Sequence, residues 1–117
     1  MNTTELMIGD WVYRPACYDR VKEIHTEGII GNDPLRGLIS ISEVEPIPLI
    51  EEILKKNGWV WNDLPFEQCW TQYGLYLYSV GNGYRINCGS NVSMIIDFVH
   101  QLQHALKLCG IDKTIEI

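Results

Sequence analysis

The stretch Val99-His100-Gln101-Leu102-Gln103-His104-Ala105-Leu106-Lys107-Leu108-Cys109-Gly110 decides the reading of this chain. Ile95, Val99, Leu102, Leu106 and Cys109 recur at alternating spacings of four and three, which places them on one side of a 3.6-residue helix. Gly110 follows the last apolar position, where a left-handed C-cap belongs, and Lys107 suits the negative end of the helix dipole. This amphipathic helix is the element that a sheet is expected to pack against. The residues before it, Val92 to Phe98, alternate as a strand does. A strand to about Ile96 is expected, with Asp97 as helix N-cap.

Working outward, the clearest hairpin is Leu75-Tyr76-Leu77-Tyr78-Ser79-Val80, a turn at Gly81-Asn82-Gly83, and Tyr84-Arg85-Ile86-Asn87-Cys88. Asn-Gly at a hairpin tip favours a primed turn whose twist matches the strands. Further upstream, Pro48 precedes a short helix predicted over 49–57. Its apolar face is Leu49, Ile50, Ile53 and Leu54, and Gly58 closes it. Glu51 and Glu52 lie early and Lys55 and Lys56 late, as the dipole favours and at i,i+4 spacing. Between this helix and the hairpin lie Trp59, Trp61, Phe66, Trp70 and Tyr73, with a turn expected at Asn62-Asp63-Leu64-Pro65.

The N-terminal part reads as short strands. Gly9-Asp10 leads into Trp11-Val12-Tyr13, Arg14-Pro15 ends that strand, and Arg20 to Ile24 forms a second. Ile29-Ile30 stands between glycines, and Leu38 to Val44 alternates as a third strand. The succession of Gly-Asp, strand, turn, strand and Gly-rich bend looks like the start of a small SH3-like barrel. Thr114 to Ile117 offers a last short strand. The expected fold is therefore α+β. An antiparallel sheet carries a short middle helix and the C-terminal helix, in one domain over residues 1–117. Within it, 1–45 is the β-rich half, and 46–117 holds helix, hairpin and helix.

The bulk numbers are those of a globular protein: 117 residues, 46% hydrophobic, 21% charged. A net charge of −6 argues against tight non-specific binding to nucleic acid, which needs clustered cations. No stretch is long and apolar enough to span a bilayer, and the start shows no signal-peptide pattern. Four cysteines, Cys17, Cys69, Cys88 and Cys109, form no CxxC pair; an even count in a secreted chain could mean two disulfides, but without an export signal reduced thiols in the cytoplasm are expected.

Three blocks carry a family likeness: LMIGDWV (Leu6–Val12), EPIPLIEEILKKNGW (Glu45–Trp59) and FVHQLQHALKLCG (Phe98–Gly110). In this order and spacing they resemble a family of small uncharacterised proteins of gut bacteria and their phages. That family tends to show an (L)xIGNxV opening, PIPLTEEWLLKFGF in the middle and YVHQLQNLYFALTGEEL near the end. The chain departs from it at Ile50, where the family has Thr, and at His104, where it has Asn. The resemblance implies a cytoplasmic protein derived from a phage or mobile element. It implies no activity.

Catalytic candidates are few. His100 and His104 are four apart on one helix face, as in zinc-binding HExxH, but Gln101 stands where the general base belongs. Glu23, His25 and Glu27 alternate on an expected strand face, where charged side chains are ordinary. Cys17 lies between Arg14 and Arg20 without a His nearby in sequence. No nucleophile motif, phosphate loop or dinucleotide fingerprint is present, and no cofactor, metal or catalytic residue is expected. The aromatic residues carry more weight. Trp59, Trp61, Trp70, Tyr73, Tyr76 and Tyr78 form the candidate interaction set, because Trp and Tyr combine a broad apolar face with a polar tip. Tyr76 and Tyr78 share one strand face and Leu75 and Leu77 the other, so one pair must be less buried. The sequence reading is a non-enzymatic protein-interaction module binding another protein, or itself, through an aromatic sheet face. A nucleic-acid accessory protein using Arg14, Arg20, Lys22 and Arg36 is the second reading. A small enzyme is the third.

Overall fold

The computed structural model describes residues 5–14, 17–32, 37–65, 67–81, 83–88 and 92–117. The fold is α+β, and its strand pairings are all antiparallel. The chain divides into two compact units, Met1–Ile47 and Pro48–Ile117.

In the first unit, β1 (Trp11–Arg14) pairs with β2 (Cys17–Arg20), while β3 (Glu23–Ile24), β4 (Gly28–Ile30) and β5 (Leu38–Ser40) form a separate three-stranded sheet. No barrel closes among the described residues, which corrects the SH3-like expectation. The cause lies in two breaks. The expected strand over Arg20 to Ile24 splits at Val21 and Lys22, where Val21 N–H donates to Asp10 O (2.8 Å) and Lys22 N–H to Ile30 O (2.8 Å). The expected strand over Leu38 to Val44 stops at Ser40 and turns through a 3-10 segment, Ile41–Glu43. The core of this unit is Leu6, Val12, Val21, Ile29, Ile39 and Val44, with Ile41 packed on it.

The second unit is a five-stranded meander covered by helix. α1 (Glu51–Lys56) leads to β6 (Val60–Leu64), β7 (Glu67–Gln72), β8 (Leu75–Val80), β9 (Gly83–Cys88) and β10 (Val92–Ile96), and α2 (Val99–Leu108) follows. The strand order is β10-β9-β8-β7-β6. The expected hairpin over 75–88 is present, and its tip at Asn82 lies outside the described residues. Of the turn expected at 62–65 only Pro65 turns: Asn62, Asp63 and Leu64 are strand and pair with Cys69, Gln68 and Glu67. A hairpin that sequence reading missed joins β7 to β8 through Tyr73 (φ 56) and Gly74 (φ 75). Both residues are left-handed, as a primed two-residue turn requires.

Both helices end alike. Gly58 (φ 84) and Gly110 (φ 76) stand just past the C-caps. Trp59 N–H donates to Leu54 O and Gly58 N–H to Lys55 O. Ile111 N–H donates to Leu106 O and Gly110 N–H to Lys107 O. These are two Schellman motifs. α1 is shorter than 49–57, because Ile50 is extended (φ −123, ψ 162) and serves as N-cap without a side-chain bond. At α2 the N-cap is Phe98, not Asp97. Gln101 Oε1 reaches back to accept from Asp97 N–H (2.8 Å) and Phe98 N–H (3.1 Å), so the cap comes from inside the helix.

Val99, Leu102, Ala105 and Leu106 of α2 are buried, and the helix packs against β10. Ile95 does not continue this stripe: as a strand residue it faces away from its neighbours Met94 and Ile96 and is exposed. Leu54, Leu77, Ile86, Ile96, Leu102 and Leu106 are fully buried, each contributing about 1.5–3 kcal/mol. The expected strand over 114–117 is absent. The segment is held by side chains instead: Gln103 bonds Lys113 O and Ile115 N–H, and Asn57 bonds Glu116 O and Glu116 N–H.

Candidate interaction surface

Register divides the five-stranded sheet into two faces. Trp61, Trp70, Leu77, Ile86 and Met94 oppose one another across successive strands, and Leu75 and Ile96 share their side. Leu75, Leu77, Ile86, Ile96 and Trp70 are buried, and this is the face that carries the core. The other face bears Val60, Thr71, Tyr76, Asn87 and Ser93 in one row and Asn62, Cys69, Tyr78, Arg85 and Ile95 in the next, with Cys69 fully buried. Here Val60 is 64% exposed, Tyr76 41% and Ile95 60%. Arg85 lies over the Tyr78 ring at 5.9 Å, a cation–π distance. It is the single cation among the described side chains of this face.

The candidate aromatic residues separate accordingly. Trp59 and Trp70 are buried. Trp59 is the residue that closes the α1 Schellman motif, where an apolar contact back to the helix is usual. Tyr73 and Tyr76 are exposed and Tyr78 is half-buried, while Leu75 and Leu77 are inside. Trp61 is exposed, but on the core side of the sheet near its β6 edge. Its ring meets Trp70 at 5.3 Å and 59°. With Glu51 and Lys55 of α1 the two indoles line a cleft of about 300 Å³.

A second cleft, also about 300 Å³, lies between the start of α1 and the β8–β9 end. Glu51, Glu52, Ser79 and Tyr84 line it. Burial, then the charges of Glu51 and Glu52, push the Tyr84 phenol above its ordinary 10.0. A third cavity, about 320 Å³, lies between β10 and α2, lined by Met94, Ile95, Ile96, Gln101, His104, Ala105 and Leu108.

The histidines do not assemble a reaction centre. His100 is buried and stacks on Phe98 (5.9 Å), and His104 meets it edge-on at 5.6 Å. His25 Nε2 lies 4.0 Å from Glu23 Oε1, both exposed. The expected alternating face of Glu23, His25 and Glu27 is corrected, because β3 ends at Ile24 and the chain turns through His25 to Gly28. No group of three or more His, Cys, Asp or Glu among the described residues is placed to hold a metal. Of the expected basic patch, Arg20 is directed back to Gly9 O (3.1 Å) and over the Trp11 ring (5.5 Å). Arg36 and the side chain of Arg14 lie outside the described residues.

Cys17 and Cys69 carry thiols, whereas Cys109 is disulfide-bonded. This corrects the expectation of reduced thiols throughout, which rested on the missing export signal: that signal does not decide which cysteines the fold brings together. Among the described residues no helix is long and apolar enough to cross a membrane. No protein-family model, no curated protein and no solved structure matches the chain.

Proposed function

We propose that the chain is a non-enzymatic protein-interaction module that binds its partner through the open face of the five-stranded sheet. The observation that carries this reading is the exposure of Val60, Tyr76 and Ile95 on one face, beside the half-buried Tyr78, while the opposite face carries the core. Exposed apolar and aromatic side chains grouped on one surface mark an interaction site. One described cation on that face, in a chain of net charge −6, is a poor track for phosphates, so nucleic acid is the weaker reading. Origin in a phage or mobile element rests on the three resembling sequence blocks alone. A cytoplasmic setting is the companion proposal, and the disulfide at Cys109 weighs against it, since disulfides are rare in reducing compartments.

The test is capture of partners from host lysate by the tagged full chain, with and without nuclease, beside Tyr76→Ser and Val60→Ser. The reading expects a stoichiometric protein that survives nuclease and is lost with either variant while circular dichroism is unchanged. Retention by both variants, or loss under nuclease, overturns it.

A further inference from the structure

We propose that a second copy of this chain docks on the free edge of β10, continuing the five-stranded sheet across a two-fold axis. The inference shares Ile95 with the open-face reading but rests on the strand edge, which that reading does not use.

β10 is an edge strand whose open stretch ends at Ile96: just beyond it Leu49 N–H donates to Asp97 O (3.0 Å) and Pro48 bridges Phe98. Its outward hydrogen-bonding groups follow from the register. Val80 pairs with Gly83 across a two-residue loop, and the residues flanking such a loop exchange both backbone bonds. Alternation then turns Tyr84 and Ile86 toward β10, where they meet Ile96 and Met94. Ser93 and Ile95 therefore present their N–H and C=O groups to the open edge.

Natural edges are usually blunted by Lys, Pro or a bulge. Val92-Ser93-Met94-Ile95-Ile96 has neither Lys nor Pro and pairs with β9 without a bulge. Beside it, Leu108 is 76% exposed and Ile95 60%, at the rim of the cavity between β10 and α2. An extended segment laid along β10 would cover both and satisfy the outward backbone groups, as strand addition does elsewhere.

Charge selects the occupant. The described residues lining that cavity include no Asp, Glu, Lys or Arg, and neither does β10. A charged peptide finds no counter-ion there. Two copies of a −6 chain, in contrast, meet here without opposing like charges. The edge is also self-complementary. With Met94 on the axis, Ser93 of one copy lies opposite Ile95 of the other, and each such pair exchanges two N–H···O bonds.

Sedimentation equilibrium of the full chain, from low micromolar to several hundred micromolar, tests this. A concentration-dependent dimer is expected. Ser93→Pro removes an outward N–H that β9 does not use, and Ile95→Lys places a charge on the edge. Each should raise the dimer dissociation constant about tenfold or more, with circular dichroism unchanged. Hydrogen exchange should slow at the Ser93 and Ile95 amides as the dimer forms. If Ser93→Pro perturbs folding, Ile95→Lys and the exchange measurement decide. A monomer throughout the range overturns the proposal, as does a dimer indifferent to both variants. Tyr76→Ser should leave the dimer intact, which separates this test from that of the open face.

Discussion

The side-chain amide of Gln103 brackets the backbone at Ile115: its Oε1 accepts from Ile115 N–H at 2.8 Å and its Nε2 donates to Lys113 O at 2.7 Å. Ile115 itself is 2% exposed. An amide thus stands in for a neighbouring strand, offering one donor and one acceptor at the spacing a backbone would. Gln103→Leu leaves that N–H and carbonyl without their partner. It is expected to cost about 1–3 kcal/mol in urea unfolding, and to speed tryptic cleavage after Lys113. Because Asn57 grips the same segment at Glu116, Asn57→Ala combined with Gln103→Leu should cost less than the two singles added.

Gly28 has no room for a side chain. A Cβ built there would lie 1.9 Å from the carbonyl oxygen of Ile39, its neighbour's backbone. Backbone cannot rotate aside, so Gly28→Ala must pry β4 from β5 and is expected to cost about 1–3 kcal/mol. Gly37→Ala serves as the comparison: it meets nothing within 4 Å and bears only the strain of φ 63. Chemical denaturation of the two variants should rank Gly28→Ala as the more damaging, and the opposite rank would contradict the β4–β5 geometry.

Tyr84 should ionise above 10.0, because burial and the charges of Glu51 and Glu52 all oppose a phenolate. The sign follows from linkage. A folded value above the unfolded one means that the native state holds the proton longer. The stabilisation is fully present below about 10 and is lost as pH rises through the folded value. Absorbance titration at the tyrosinate band, wild type minus Tyr84→Phe, isolates this group. Glu51→Gln should move the recovered value down, and a recovered value at or below the ordinary one would contradict the cleft.

Cys109 should resist alkylation in the native protein until a reductant is added, whereas Cys17, which is half-buried, should react without one. Peptide mass spectrometry after differential labelling reads both. Labelling of Cys109 in unreduced protein would restore the expectation of reduced thiols and remove the objection to a cytoplasmic setting.

What sequence reading reached, and what it missed, follows physical lines. α2 and the β8–β9 hairpin were legible because each buries one face, so period shows in the residues themselves. The two Schellman ends were legible because Gly58 and Gly110 mark a left-handed position. The β6–β7 pairing was hidden. Asn62-Asp63-Leu64-Pro65 carries turn residues, and tertiary pairing of Trp61 with Trp70 overrides that local preference. The Tyr73-Gly74 turn was hidden because tyrosine rarely takes φ near 56. On the surface, the alternation of Tyr76 and Tyr78 with Leu75 and Leu77 was enough to find the open face. The separation of buried Trp59 and Trp70 from exposed Trp61 depends on where α1 lies, which no local pattern encodes.

The strictly sequential strand order also sets a timetable for folding. Each strand from β7 to β10 pairs with the one before it, so every ladder closes a short loop, and the sheet can grow one hairpin at a time. Two contacts are exceptions: Leu49 N–H reaches Asp97 O beside the Pro48–Phe98 bridge, and, in the C-terminal segment, Glu116 reaches back to Asn57 across 59 residues. Closure of the C-terminal segment carries the largest entropic cost and depends on α1 and α2 already being in place. Measured φ-values should therefore be high in the β7–β8–β9 hairpins and near zero at Gln103 and Asn57. Variants at those two positions would then accelerate unfolding while leaving the refolding rate almost untouched.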